Sequence, residues 1–169
     1  MRARLHLSVA VTALAVLAAA CGTSAPKGET SVKELPKDTL TGTYLGLTIH
    51  REDVRDKLKE QQANAYIAGV GLYSLRDGDR LEATLQVSQL SSAARPKDKK
   101  FQEQVANQIG GTKVQAFVMG DHAVYRSSQR KQSLTSWFDG RYFMILAVRD
   151  SYPTPRSLLR ELVTKAHAK

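Results

Sequence analysis

Residues 65–90 read AYIAGVGLYSLRDGDRLEATLQVSQL, which is two runs of strand-forming residues separated by a short polar turn. The turn, RDGD at residues 76–79, contains an Asp-Gly pair that supplies the positive φ a tight hairpin needs. In the second run, apolar side chains alternate with polar ones: Leu81, Ala83, Leu85 and Val87 against Glu82, Thr84, Gln86 and Ser88. The pattern predicts a β-hairpin with one face in the core and the other exposed to water.

Downstream of the hairpin, the sequence predicts a helix followed by a four-stranded meander. Phe101, Val105 and Ile109 recur at the four-residue spacing of a helix face, which ends at a pair of glycines. Turn signals at Gly120 and Gly140 then separate short apolar runs. The predicted strands cover residues 113–119, 123–128, 133–138 and 141–148.

Two more helices are predicted, one on each side of this region. Residues 51–62 place Val54 and Leu58 on one face and carry charge pairs at i,i+4 spacing. Near the C-terminus, Thr154 can cap a helix that has Pro155 at its first position. The apolar face of that helix consists of Leu158, Leu159, Leu162, Val163 and Ala166. The predicted fold class is α+β, with an antiparallel sheet of about six strands, a hairpin plus a meander, and helices packed on it.

The N-terminus has the layout of a secretory signal peptide. Arg2 and Arg4 precede an uncharged run from Leu7 to Ala20. This run is shorter than the ~20 apolar residues that a permanent transmembrane helix needs. Three alanines at residues 18–20 lead directly into Cys21, the only cysteine in the chain.

These residues resemble the lipobox of bacterial lipoproteins, in which signal peptidase II cleaves before a cysteine that carries a diacylglyceryl group. Leu17 lies four residues before Cys21, and Ala18 takes the position where Leu or Val is commonest. The Ala- and Arg-rich signal is also similar to those of actinobacteria. The resemblance implies a signal peptide at 1–20 and lipidation of Cys21 on the extracytoplasmic face of the cell membrane. The alternative is a plain secretory signal that leaves a free thiol at Cys21.

The segment after the cysteine predicts the domain organisation. Residues 22–37 are rich in Gly, Thr, Ser, Pro, Lys and Glu and contain almost no bulky apolar side chain, as is typical of a flexible tether. We therefore expect a lipidated cysteine and tether at 21–39 and a single globular domain at 40–169. If Cys21 is acylated, the mature chain has no thiol for a disulfide, a metal site or nucleophilic catalysis.

The order of elements over residues 63–167 resembles that of the Mog1/PsbP fold, in which a hairpin, a helix, a four-stranded meander and a closing helix make an α-β-α sandwich. The likeness lies in element order, and some exported actinobacterial lipoprotein domains are similar to this fold. The resemblance implies a binding or assembly role, because most members of that fold class are not enzymes.

The chain is strongly basic. It carries 25 Lys and Arg residues against 16 Asp and Glu residues, for a formal net charge of +9. Such a balance favours acidic partners, namely anionic lipid headgroups, phosphate-rich wall polymers or acidic proteins, and no nucleic acid is expected after export. Hairpin geometry predicts a basic pole that could bind such a partner, and a solvated surface is the alternative. The pole would comprise Arg126, Arg130, Lys131, Arg149 and Arg156.

A second candidate contact lies in residues 134–143, LTSWFDGRYF, where aromatic side chains surround an Asp-Gly turn. Alternation along the strands would direct some of these rings away from any single face. Trp137 and Tyr142 are therefore candidates for an exposed aromatic contact, and packing in the core is the alternative.

The sequence contains no familiar catalytic or metal-binding motif. There is no GxSxG elbow, no HExxH and no glycine-rich phosphate loop, since Gly69 and Gly71 lie within a strand run. His50 adjoins a predicted helix start, and His122 adjoins a turn, so structural roles are favoured for both. We therefore expect a protein that is not an enzyme and that holds no cofactor and no metal.

Together these observations predict a membrane-anchored, non-catalytic binding or assembly module of the cell envelope. Its partner would be an envelope protein, an anionic polymer or the membrane itself. The alternative is a carrier of a lipid or small apolar ligand, held in a pocket between the sheet and the helix at 155–167. In that case the small residues Gly69, Gly71 and Ala83 would leave room for the ligand. An enzyme of unfamiliar type is the third hypothesis.

Overall fold

The computed structural model describes residues 32–54, 58, 66–110, 114–129 and 132–168. Within these ranges the chain forms one sheet of nine strands with two helices. The strands are β1 (Lys33–Glu34), β2 (Thr43–Tyr44), β3 (Leu47–Glu52), β4 (Ile67–Asp77), β5 (Arg80–Leu90), β6 (Gln115–Met119), β7 (His122–Gln129), β8 (Gln132–Asp139) and β9 (Tyr142–Arg149). The helices are α1 (Lys99–Gly110) and α2 (Pro155–Lys165).

The sheet has the order β2-β3-β4-β5-β9-β8-β7-β6, and every neighbouring pair along it is antiparallel. The β4–β5 hairpin turns at Gly78, whose φ is 56°, as the Asp-Gly pair predicts. The meander β6–β9 folds back so that its last strand pairs with the hairpin, with Leu85 opposite Leu146. The predicted α+β class with a mainly antiparallel sheet is confirmed.

The expected number of strands, about six, is wrong because three short strands precede the hairpin. Residues 51–52, which we expected to start a helix, are the last two residues of β3. Arg51 and Glu52 look like the charged first turn of a helix, but here they pair with Tyr73 and Leu72 of β4. Leu58 is helical, and its amide donates to the Val54 carbonyl at 2.9 Å, as the predicted helix requires. The rest of the predicted helix after residue 54 lies outside the described residues.

Residues before position 40 already belong to the sheet. Lys33 and Glu34 pair in parallel with Gly69 and Val70 of β4, and the Leu35 amide donates to the Val70 carbonyl at 2.9 Å. Leu35 is only 5 % exposed. The part of the predicted tether from residue 32 onwards is therefore packed on the sheet, while the signal peptide, Cys21 and the tether up to residue 31 lie outside the described residues.

Alternating side chains build a separate apolar layer on each face of the sheet. On one face, α2 packs on residues of β4, β5, β8 and β9; the buried side chains there include Tyr73, Leu85, Trp137, Met144, Leu146, Leu158 and Leu162. On the other face, α1 contributes Phe101, Val105 and Ala106 to a second cluster with Ile67, Tyr125, Phe138, Phe143 and Ile145. The domain thus has three layers, helix on sheet on helix.

The polar face of β5 is not exposed to water, contrary to the sequence-based expectation. Glu82, Gln86 and Ser88 are all at most 2 % exposed. The Gln86 amide donates to the Ser88 hydroxyl at 3.1 Å, and Glu82 pairs with the Arg80 guanidinium. Because β5 is central in the sheet, both of its faces are covered, and its polar side chains bind one another and nearby charged groups instead of water.

The start of α2 agrees only in part with the sequence. Pro155 opens the helix, as predicted, and its missing N–H is one of the donors that would have no intrahelical partner there. Thr154 occupies the cap position, but its side chain makes no capping hydrogen bond. Burial of Leu158, Leu159 and Leu162 therefore holds the helix in place, since a capping bond from Thr154 is lacking.

Candidate binding cleft

A cleft of about 280 Å³ lies between the start of α2 and the meander half of the sheet. We call it the α2 cleft. Its lining comprises Gln115, Phe117, Arg126, Thr135, Leu146, Val148, Pro155, Arg156 and Leu159. These residues come from β6, β7, β8, β9 and α2, so the cleft exists only when the meander and the closing helix are assembled.

Strand register explains why these side chains meet. Gln115 of β6 is opposite Arg126 of β7, which is opposite Thr135 of β8, which in turn is opposite Leu146 of β9. Side chains in one such row point to the same face of a sheet. The row therefore forms part of the cleft wall, and α2 crosses the sheet so that Arg156 lies at the same cleft.

The predicted basic pole is assembled only in part. Arg126 and Arg156 are both exposed and both line the α2 cleft. Arg149 follows Val148 in β9 and so points to the opposite face, where its guanidinium donates to the Leu81 carbonyl at 3.1 Å. Arg130 and Lys131 lie outside the described residues.

The predicted aromatic contact does not form as a pair. Trp137 is 0 % exposed and lies in the core beneath α2, because its position in β8 faces inward, so the core alternative holds for it. Tyr142 is half-buried against the same cluster. Phe138 and Phe143 pack on the α1 side, with their ring centroids 4.6 Å apart. Tyr142 is thus the one of the two candidates that is not fully buried.

Gly69 and Gly71 do not leave room for a ligand. A Cβ on Gly69 would lie 2.7 Å from Leu35 Cδ2, and a Cβ on Gly71 would collide with the Arg51 guanidinium. Both glycines therefore allow other parts of the chain to approach the backbone of β4 closely. The α2 cleft lies elsewhere on the sheet.

The Arg51 side chain lies over the backbone of Gly71 and connects β1, β3 and β4. Its Nη2 donates to Glu34 Oε1 at 3.3 Å, to the Leu35 carbonyl at 3.0 Å and to the Val70 carbonyl at 3.4 Å. Its guanidinium carbon lies 4.9 Å from the centroid of the Tyr73 ring, a cation–π contact. Burial raises the pKa of Tyr73, and the nearby Arg51 charge opposes that rise. This cluster is structural, because it fixes β1 and β3 to β4.

Sequence reasoning missed a second basic surface at the start of α1. Arg95, Lys97 and Arg141 line a shallow depression together with Pro96 and Gly140. Asp98, also in the lining, accepts a hydrogen bond from the Lys100 amide at 2.9 Å and so caps α1. The sequence feature that marks this surface is the run RPKDKK at residues 95–100.

His122 adjoins the turn before β7, as expected, whereas His50, which we expected beside a helix start, lies within β3. His122 Nδ1 lies 2.9 Å from the Phe138 carbonyl oxygen, and His50 is exposed on β3. Among the described residues, no group of three or more His, Cys, Asp or Glu side chains is placed to hold a metal ion. Over the same ranges, no helix has the length and apolar character required to span a bilayer.

Comparison of the chain with protein-family models, with curated proteins and with solved structures gives no match. The α2 cleft combines charged groups with accessible apolar surface. Arg126 and Arg156 supply the charge, and Phe117 and Pro155 supply accessible apolar surface, whereas the lining residues Leu146 and Leu159 are buried. Chemically, this arrangement suits a ligand or partner group that is anionic at one end and apolar at the other.

Proposed function

We propose that this protein is a membrane-anchored lipoprotein of the extracytoplasmic face that acts as a non-catalytic binding or assembly module of the cell envelope. The observation that carries the binding role is the convergence of Arg126 and Arg156, from β7 and α2, on one cleft with apolar walls. The lipobox resemblance at Cys21 supports the location, and the net charge of +9 supports an acidic partner.

Two guanidinium groups on one concave surface attract an anion more strongly than the same groups spread over a flat surface. The walls exclude part of the water that would otherwise screen the charges. Each guanidinium can also bind a carboxylate or phosphate through two parallel hydrogen bonds. The cleft is therefore suited to an acidic side chain or headgroup of an envelope component.

The binding role predicts a charge-dependent interaction with a specific location. With the full chain as bait in a crosslinked pull-down from envelope extract at low salt, we expect Arg126→Gln with Arg156→Gln to lower recovery of the partner at least about tenfold. High salt should have a similar effect on the unmodified chain. Arg160→Gln is the matched control, because Arg160 is an exposed arginine of α2 that does not line the cleft. If Arg160→Gln weakened recovery as much as the double variant, diffuse charge and not the cleft would be responsible.

The anchoring role predicts that lipid incorporation depends entirely on Cys21. Cells expressing the full chain and fed an alkyne analogue of palmitate should label the protein, and Cys21→Ala should abolish the label because no other thiol is present. A maleimide reagent distinguishes the alternative of a plain secretory signal. Labelling of the mature protein by maleimide, without incorporation of the lipid analogue, would show that the thiol is free and that the anchor is absent.

The second candidate function, a carrier of a lipid or small apolar ligand, is favoured by the cleft volume of about 280 Å³. This value lies just below the range of about 300–1,000 Å³ that is usual for small-molecule sites, so it suits a small ligand. Mass spectrometry of organic extracts from the purified full chain tests it. A single co-purifying compound, lost when the half-buried lining residue Phe117 is changed in Phe117→Gln, would favour the carrier over the protein-binding module.

For the fold family, we propose a Mog1/PsbP-like sandwich. The support is the element order hairpin β4–β5, helix α1, meander β6–β9 and helix α2, with the two helices on opposite faces of the sheet. An experimental structure that places α1 and α2 on the same face would contradict this assignment.

A further inference from the structure

Strand β6 ends the sheet on the meander side. Among the described residues it is the last strand in the order, and it pairs with β7 alone. Val118 is 77 % exposed, and Gln115 and Ala116 are exposed as well. An edge strand of this kind presents a row of main-chain N–H and C=O groups that have no partner strand.

Within the part of the chain that the structure describes, β6 itself carries no charge, proline or bulge to prevent its pairing with another chain. Proteins protect such edges with charged residues, proline or a β-bulge. The sequence of β6, QAFVM, has no charge and no proline. Its pairing with β7 runs in unbroken register from Gln115 opposite Arg126 to Met119 opposite His122. The exposed Val118 adds apolar surface to this edge.

The edge of β6 that no described strand pairs with adjoins the α2 cleft. Gln115 and Phe117 line the cleft, whereas Ala116 and Val118 alternate to the opposite face. A strand added beside β6 would place every second side chain over the cleft and the others against Val118. Strands lie about 4.8 Å apart, so an added residue level with Gln115 would be about 10 Å from the backbone of Arg126, within reach of two long side chains.

We propose that β6 binds an extended segment of a partner protein by strand addition, with an acidic side chain of that segment entering the α2 cleft beside Arg126 and Arg156. The inference rests on the proposed binding function and names its mode. Main-chain hydrogen bonds to β6 supply affinity, and the cleft selects the side chain. A second copy of this chain fits less well. Pairing of two β6 edges would bring the basic clefts of both copies close to the new strand pair, where like charges repel and neither β6 supplies an acidic side chain.

The test uses a short acetylated and amidated peptide of alternating Thr and Val residues with one central Glu. Binding to the isotope-labelled full chain in detergent is followed by amide chemical shifts and amide exchange. We expect shifts and slowed exchange at Gln115–Met119, and at least about tenfold weaker binding when the central Glu is replaced by Lys. Two further peptides are N-methylated at alternate residues, one at the odd and one at the even positions. Each keeps its side chains but loses the main-chain N–H donors along one edge, and we expect the peptide methylated on the edge that faces β6 not to bind.

Two variants of Val118 sharpen the test. Val118→Lys adds a charge to the edge and should weaken peptide binding at least about tenfold, whereas the matched Val118→Thr keeps a β-branched, uncharged side chain and should bind nearly normally. Failure of the peptide to bind, equal binding of both N-methylated peptides, or shifts confined to residues away from β6 would each overturn the proposal. A concentration-dependent dimer abolished by Val118→Lys would overturn it in favour of a second copy. None of these outcomes would contradict recovery of a partner through the α2 cleft in the pull-down. Strand addition at β6 can therefore be disproved without disproving the proposed binding function.

Discussion

Gly71→Ala is expected to destabilise the domain by about 2–3 kcal/mol, although alanine is usually tolerated better than glycine in a strand. The added Cβ would occupy the position of the Arg51 guanidinium and would also lie 3.0 Å from Tyr73 Cε2. To make room, Arg51 must move away from the Leu35 and Val70 carbonyls that it now binds. Chemical denaturation of the variant measures the loss in the free energy of unfolding.

A double-mutant cycle separates this collision from other effects of the substitution. Arg51→Ala alone should destabilise the domain, because it removes the link between β1, β3 and β4. In the Arg51→Ala background, Gly71→Ala should cost far less than in the unmodified chain. Gly78→Ala is a control with open space around the site and a φ of 56°, and its expected cost of about 1 kcal/mol comes from the backbone alone. Additive costs of Gly71→Ala and Arg51→Ala would contradict the packing described for Arg51.

Trp137→Ala is expected to cost about 3–5 kcal/mol of the free energy of unfolding. Trp137 is fully buried beneath α2, and its neighbours across the sheet are Val124 and Met144. Its removal would leave a cavity between the sheet and the helix that these side chains cannot fill. The same variant tests the alternative in which Trp137 is an exposed aromatic contact, because replacing an exposed tryptophan would cost little stability.

Trp137→Phe is the matched variant. The indole N–H is buried and has no hydrogen-bond partner within the described chain, so phenylalanine removes an unsatisfied donor while keeping most of the packing. We expect a cost of about 1–2 kcal/mol. Trp137 is the only tryptophan, so its fluorescence in the unmodified chain reports unfolding of this core directly. If the native protein showed the emission spectrum of a water-exposed tryptophan, that result would contradict the burial of this side chain.

Local patterns in the sequence predicted the hairpin, the meander and both described helices. The Asp-Gly turn and the alternation in residues 81–88 act within a few residues, so they can be identified without the rest of the fold. β1 and β3 could not be identified in this way. Arg51 occupies an inward position of β3, and only its contacts with Glu34, Leu35 and Tyr73 explain why a charged residue lies there.

The α2 cleft depends even more strongly on long-range pairing. The sequence indicated that Arg126 and Arg156 could lie near each other, but it also grouped them with Arg149, which points to the other face. The position of β6 at the edge follows from the pairing of β9 with β5, which brings strands distant in sequence together. Burial of Trp137 follows from its register against Met144, a contact no local pattern specifies.

The most direct test of the binding role is photo-crosslinking in intact cells that express the full chain. A photoreactive amino acid replaces Val118 on β6 as the test position. In a control it replaces Leu45, an apolar residue in the β2–β3 turn that is 42 % exposed. We predict one adduct from position 118 with an extended, acidic segment of an envelope protein, lost with Arg126→Gln and Arg156→Gln together, and none from position 45. No adduct from position 118, or the same adducts from both positions, would contradict the assignment of the cleft and β6 as the binding surface.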